Sequence, residues 1–442
     1  MKRFILEQSD DEFYTSHSGL ALAGLCINRY SGLPVQISKK MSSINGISHT
    51  DIVRSFLGLL CLGKSDYEAI TAMRDDDYFK HAMGINNVPS SERLRQRLDE
   101  GAEALLAIVK DCSVAMLKKA GVHFTALDTG HVPLDADVFP MDNSKTKKEG
   151  VSRTYHNYDG YAPIAAYLGL EGWNLEVELR PGSQHSQDGF IPYLERVIKR
   201  ARTLTSKKLL VRLDSAHDAL DTRLALRDKK KVSYIIKWNP RREGTASLCE
   251  KAFEQGIVTE PRPGKKVALL TVRKSQGHEG KTCFFTKVVR ITRRTIDKHG
   301  QLLLAPDVTV EGWWTNLELS PQKIIKLYEN HGLSEQFHSE FKSDLDLERL
   351  PSGKFNTNAL IMALGAFAYN ILRLIGQLGL LGDHSPVRHP AKRRRIKTVI
   401  QELIYLAARL ISTARRLKLR FSRHCPGFLA FSGVYSRLSA AR

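Results

Sequence analysis

Leu209-Leu210-Val211-Arg212-Leu213-Asp214 is an apolar run of strand length, ended by an acid, that turns at once through Ser215-Ala216-His217-Asp218. Aliphatic residues without helical spacing predict a buried strand. The segment Ala219–Asp228 then predicts a helix, and Val232–Trp238 a second strand. Upstream, His131–Phe139 alternates Val132, Leu134, Ala136 and Val138 with Asp135 and Asp137. Tyr161–Leu168 and Trp173–Arg180 are two further strand candidates, and a helix is expected from Asp188 to about Thr203.

Three strands followed by helix-strand-helix-strand is the order expected of a ribonuclease-H-like α/β core. Around it the composition changes. Residues 1–120 read as a helical cap or DNA-binding region, with Pro89-Ser90-Ser91 opening a helix over Glu92–Leu106. The core is expected over 121–240 and resumes over 316–380 after a β-rich insertion at 241–315, where Lys266–Arg273, Thr282–Arg293 and Val308–Trp314 are strand-like. Residues 381–442 form a basic region. Between Pro386 and His424 it holds twelve Lys and Arg against the single acid Glu402, and Leu403, Leu406, Leu410 and Leu417 suggest an amphipathic helix that grips phosphates.

The 442 residues carry 67 Lys and Arg against 47 Asp and Glu, a net +20 that favours a polyanionic partner such as nucleic acid. Six scattered cysteines with no Cys-x-x-Cys pair argue against a zinc module or a disulfide scaffold, and point to a reducing cytoplasm. No secretory signal is expected, and Ala359–Ile375, interrupted by Asn370 and Arg373, reads as a buried core helix, not a membrane span.

Candidate chemistry rests on acids. Strand ends at the carboxyl side of an α/β sheet are where ligands bind, which favours Asp214 as a metal ligand over a simple helix cap. Asp135 and Asp137 share one strand face; Asp137 is preferred and Asp135 held in reserve. Hard divalent cations take oxygen ligands, so carboxylates suit them. Tyr328, His331, Glu335 and Lys342 lie within about 60° of one another on a continuous α-helix, opposite Leu333, Phe337 and Phe341, which reads as an active-site wall or an amphipathic surface helix. Lys145, Lys147, Lys148 and Arg153 are interleaved with Tyr155, His156, Tyr158 and Tyr161, a mixture suited to a DNA backbone and unstacked bases or to a solvated hairpin. Trp313-Trp314 suggests either base stacking or core packing, and Trp314 is taken as the stacking candidate.

These residues together resemble the DDE transposases of bacterial insertion sequences, in the group with a Tyr-x2-Arg-x3-Glu-x6-Lys signature. Here it stands as Tyr328-x2-His331-x3-Glu335-x6-Lys342, with His in place of Arg. Leu134-Asp135-Ala136-Asp137 through Met141-Asp142-Asn143-Ser144 to Thr146–Val151 is similar to the family's first-Asp region, and Arg212-Leu213-Asp214-Ser215 to its second. The resemblance implies that Asp137, Asp214 and Glu335 bind two Mg²⁺ ions, with Mn²⁺ as a substitute. It implies cleavage at the element's ends and strand transfer into target DNA, with Tyr328, His331 and Lys342 near the cut phosphates. It further implies a homodimer on double-stranded DNA, at the terminal inverted repeats and the target, in a bacterial cytoplasm beside the nucleoid. The competing expectations are a ribonuclease-H-like nuclease without strand transfer and a domesticated, inactive sequence-specific DNA-binding protein.

Overall fold

A computed structural model describes residues 14–42, 45–241, 244–297, 299–413 and 416–440; the side chains of His331, Leu333 and Ser334 are outside it. An N-terminal block holds strand β1 (Tyr14–Thr15) and helices α1 (Leu20–Leu25), α2 (Leu33–Lys40), α3 (His49–Cys61), α4 (Asp77–Met83) and α5 (Ser91–Lys119). Ser90 caps α5, its hydroxyl accepting from the Arg93 amide. The helix runs well past the expected Leu106, because Ile108, Val109, Cys112, Met116 and Leu117 continue its buried stripe.

The next segment builds the sheet. Strand β2 (His131–Val138) leads into a small excursion of β3 (Met141–Asp142), β4 (Ser152–Arg153) and β5 (Asp159–Tyr161). Then come β6 (Ile164–Leu168), β7 (Trp173–Glu178), α6 (Phe190–Leu204), β8 (Lys208–Leu213), α7 (Leu220–Arg227) and β9 (Val232–Lys237). The expected Tyr161–Leu168 strand is split at Pro163, which has no amide proton to give to a ladder. These five long strands lie in the order β7-β6-β2-β8-β9. β6 and β7 run antiparallel, while β8 and β9 run parallel to β2. That is the strand order of the ribonuclease-H-like class.

The next region extends the same sheet. Helix α8 (Ala246–Gln255) precedes β10 (Ile257–Arg262), β11 (Lys265–His278), β12 (Lys281–Ile296) and β13 (Leu302–Thr315). β13 joins the core by pairing Trp313 with Lys237, Trp314 with Ile236 and Thr315 with Ile235, giving nine strands in all. The strands are longer than the apolar runs in the sequence, because backbone pairing continues through charged residues such as Arg273, Lys274, Arg293 and Arg294. Alternation along β8 and β9 splits the core. Leu210, Ile235 and Trp313 face α9 (Pro321–Glu329), whereas Val211, Leu213, Tyr234 and Ile236 join the main core with α6 and α7.

After α9 the chain makes a 3₁₀ turn (Asn330–Gly332), helix α10 (Leu333–Ser339) and a π-turn (Glu340–Asp344). The expected single helix through Tyr328 and Lys342 is therefore four short pieces, the end of α9, the 3₁₀ turn, α10 and the π-turn. Gly332 has little helix propensity, and the π-turn falls where Glu340 and Asp344 are pulled inward. Helix α11 (Phe355–Gly379) is long and apolar enough to cross a membrane, but 94% of its most apolar window is buried inside the protein. It is a core helix that packs on α5, α3 and β7.

The basic region differs from expectation. A short α12 (Ile396–Val399) and a π-turn (Ile400–Ile404) give way to a hairpin of β14 (Ala408–Thr413) and β15 (Arg416–Arg420), which β1 completes. Ile411 and Thr413 are β-branched and favour the strand over the helix that the leucine spacing suggested. Helix α13 (Phe428–Ala440) follows.

Candidate active site

Parallel pairing sets the two aspartates side by side. Ala136 on β2 is opposite Leu213 on β8, and Leu213 is opposite Ile236 on β9. The next residues are Asp137, Asp214 and Lys237, so three neighbouring parallel strands end in two acids and a cation. Period-two alternation keeps all three on the face that bears Leu210 and Ile235. Asp214 leaves the strand in an extended conformation and caps the following turn through the Ala216 amide at 3.2 Å. Metal ligation and helix capping were alternatives in the sequence; the turn takes one oxygen of a carboxylate that still faces the cleft.

Asp135 and Asp137 share a face but not an environment. Asp135 is buried and takes Arg212 through both oxygens, Nε to Oδ1 at 2.7 Å and Nη2 to Oδ2 at 2.6 Å. Arg212 donates its remaining arm to the Leu327 carbonyl of α9 at 2.9 Å. This buried pair welds two strands to the helix above them. Asp137, two residues on, is half-buried and opens into a cleft of about 380 Å³ together with Asp214, Tyr155, Tyr328 and Glu335.

Glu335 is exposed on α10, and it also lines an adjoining cleft with His156, Tyr158, His338 and Lys342. The fragmented helix thus still delivers Tyr328, Glu335 and Lys342 to two adjoining clefts that share Glu335. The side chain of His331 lies outside the described residues. Burial, then the negative charges of Asp214, Asp137 and Asp135, push the Tyr328 phenol well above its ordinary value. It is a neutral donor at any working pH.

The loop after β2 ties the strand of the first aspartate to the segment that follows the glutamate helix and to the start of α11. The Asp142 amide donates to Glu348 at 2.8 Å, Asn143 donates to the Glu348 carbonyl at 3.0 Å, and Glu149 accepts from the Phe355 amide at 2.9 Å. Gly150 has φ +79° and lies against the Phe355 ring, so a side chain fits neither its backbone nor its space. Lys148 belongs to this docking, donating to Asn143 and to the Leu350 carbonyl, and burial lowers its pKa. Lys148 is therefore a structural tether here, not an open phosphate ligand. Lys147 is exposed, as is Arg153, which stands 3.9 Å from Asp159. Lys342 bridges the Pro140 carbonyl and Glu348, each at 2.9 Å, at the rim of the cleft.

Trp314 is buried, with Arg223 4.4 Å above its ring centre and Lys287 5.0 Å away. It is core packing and cannot stack on a base in this conformation. Arg393 and Arg395 of the arginine tract are likewise engaged, with help from Arg373 of α11. Arg393 and Arg373 converge on buried Glu340, and Arg395 holds buried Asp344, so the tract clamps the π-turn that continues the Glu335 helix.

Four cleft residues, Lys237, Arg290, Glu311 and Glu329, escaped the sequence reading, whereas Trp313 was singled out only as one of a tryptophan pair. Lys237 contacts Glu311 at 2.6 Å, Arg290 contacts Glu311 at 2.6 Å and Glu329 at 2.7 Å, and Trp313 underlies both cations. The lysine that ends the strand Val232–Lys237 was the available signal. Arg290 and Glu311 come from β12 and β13, whose register no local pattern reveals.

Divalent cations suit this donor set. Asp137 and Asp214 bring carboxylates to the cleft from strand ends and Glu335 brings one from α10, and the lining includes no cysteine. Among the described residues, no three or more His, Cys, Asp or Glu side chains are gathered closely enough to hold a metal ion in this conformation.

No curated protein sequence matches the chain. Among solved structures it is similar to the piggyBac transposase synaptic complex with hairpin DNA, determined by cryo-electron microscopy. The identity is 10% and the TM-score 0.41, over 89% of this chain and 80% of that one. Residues 35–442 match the family model of the transposase DDE domain, group 1, and the chain therefore belongs to the DDE transposases, enzymes that act on DNA.

Proposed function

We propose that this cleft cuts DNA at the ends of a bacterial insertion sequence and joins the freed ends to target DNA, with Asp137, Asp214 and Glu335 as its acids. The observation that carries the reading is the meeting of two adjacent strand-end aspartates with Glu335 in one cleft. Two Mg²⁺ ions held by these carboxylates would neutralise charge on the scissile phosphate and favour attack by water. Water attacks phosphorus, the P–O bond to the 3′ oxygen breaks, and a 3′-hydroxyl is released. That hydroxyl then attacks a phosphodiester of the target and displaces a second 3′ oxygen.

The chain's own groups position the backbone for both steps. Tyr328 stays protonated and donates to a non-bridging oxygen, while Lys342, Lys147 and Arg153 attract flanking phosphates. His331, at the family's Arg position, contributes charge only when protonated. Joining two ends in one event favours a dimer on DNA.

The test is cleavage of a labelled duplex carrying the element's end, with Mg²⁺, by wild type, Asp214→Ala and Glu335→Ala. We expect end cleavage by wild type alone, with binding retained in both variants. Cleavage without joining would favour the nuclease reading, and binding without cleavage by wild type the inactive DNA-binding protein.

A further inference from the structure

We propose that Lys237 and Arg290 are the phosphate-gripping residues of the cleft, and that Glu311 occupies their grip until DNA displaces it. The inference rests on the DNA-cleaving reading above and assigns that site a cationic wall contributed in part by the inserted strands.

Three observations carry it. Lys237 continues the row of strand ends that begins with Asp137 and Asp214, so the register puts its ammonium beside the acids where a phosphodiester would lie. Glu311 and Arg290 are direct cross-strand partners, as are Lys237 and Trp313, so all four side chains rise from one sheet face into one cleft. Finally, Glu311 Oε1 takes Lys237, while Oε2 takes Arg290 through Nε at 2.8 Å and Nη2 at 2.6 Å. One lysine and one arginine thus bracket the two oxygens of an anion, as they would bracket two non-bridging phosphate oxygens.

Burial favours exchange over permanence. The three side chains are 25–27% exposed, so the ions are partly desolvated but within reach of a ligand. Trp313 forms an apolar floor, its ring centre 4.3 Å from the lysine nitrogen and 5.3 Å from the guanidinium carbon. Glu329 holds the other arm of Arg290 at 2.7 Å and keeps it aimed when Glu311 lets go.

A purely structural network makes a different prediction, because removing either charge would then harm it alike. The experiment measures binding and single-turnover cleavage of a labelled duplex carrying the terminal sequence that flanks the coding sequence. It compares wild type with Lys237→Gln, Arg290→Gln and Glu311→Gln over a range of salt concentrations. We expect each cation variant to bind about tenfold more weakly, with the salt slope reduced by about one. Glu311→Gln should bind as tightly as wild type or more tightly. Lys237→Arg should restore most of the binding. Replacing single backbone phosphates by neutral methylphosphonates gives a control that needs no protein variant: at one position, wild type should lose the affinity that Lys237→Gln loses, and the two losses should not add. Equal loss in Glu311→Gln and Lys237→Gln, or no loss in either cation variant, would overturn the assignment. Failure of wild type to cleave would count against the transposition chemistry, while the binding series would still decide the role of the cations.

Discussion

Asp135 and Asp137 show how far one residue's role depends on its neighbour across the sheet. Period-two alternation places both on the same face, which was legible in the sequence. Arg212, which sits opposite Asp135 in the parallel register, was not, because pairing between strands far apart in the chain leaves no local trace. Asp135→Asn should leave a buried guanidinium without its counter-charge and cost about 3–5 kcal/mol, read as a shift in the urea midpoint. Asp137→Asn should leave that midpoint nearly unchanged while single-turnover cleavage falls by about 10³-fold or more. The tryptophans divide in the same way. Trp314→Ala should cost about 3–5 kcal/mol as a core cavity, and the purified variant should bind DNA in proportion to its folded fraction.

Among the elements, the segment from Pro321 to Asp344 departs most from its sequence pattern. Tyr328, Glu335 and Lys342, singled out by their spacing, line two adjoining clefts that share Glu335, although the continuous helix assumed for them is interrupted by a 3₁₀ turn and a π-turn. The breaks have a physical source in Glu340 and Asp344, which turn inward to Arg373, Arg393 and Arg395. A charge run read as a phosphate-binding tail thus spends two of its arginines, Arg393 and Arg395, on the frame behind Glu335. Arg393→Gln should therefore act on catalysis more than on binding. Displacing the glutamate helix by an ångström should lower the single-turnover rate about 100-fold, with affinity for the duplex changed far less. Fluorescence anisotropy beside quenched-flow cleavage separates the two. Equal losses in both would return the arginine to the DNA-binding surface.

For the molecule as a whole, the +20 charge predicts binding that fades with salt. Neutralising about six phosphates would cost about 10³-fold in affinity between about 50 and about 200 mM salt. Stability should also depend on pH through His131, whose ring lies between Thr129 and Ser233 and whose pKa burial lowers. A folded-state pKa below the unfolded one means that the unfolded chain takes the proton first. The contribution is whole above about 6.5 and is lost as pH falls below it, which melting curves across that range should show. The order of the long strands and helices between residues 131 and 238 could be read in advance, since alternation and turn residues are local signals. The joining of the inserted strands to the core could not, because it is made by three backbone pairs at residues 235–237 and 313–315. Those pairs also occlude the outer side of Val232–Lys237, a strand rich in β-branched residues. A chain trimmed of the insertion would bare that side as an open sheet edge, a template for another copy's backbone. Such minimal variants should self-associate and precipitate, which gives the appended strands a protective duty separate from any contact with DNA.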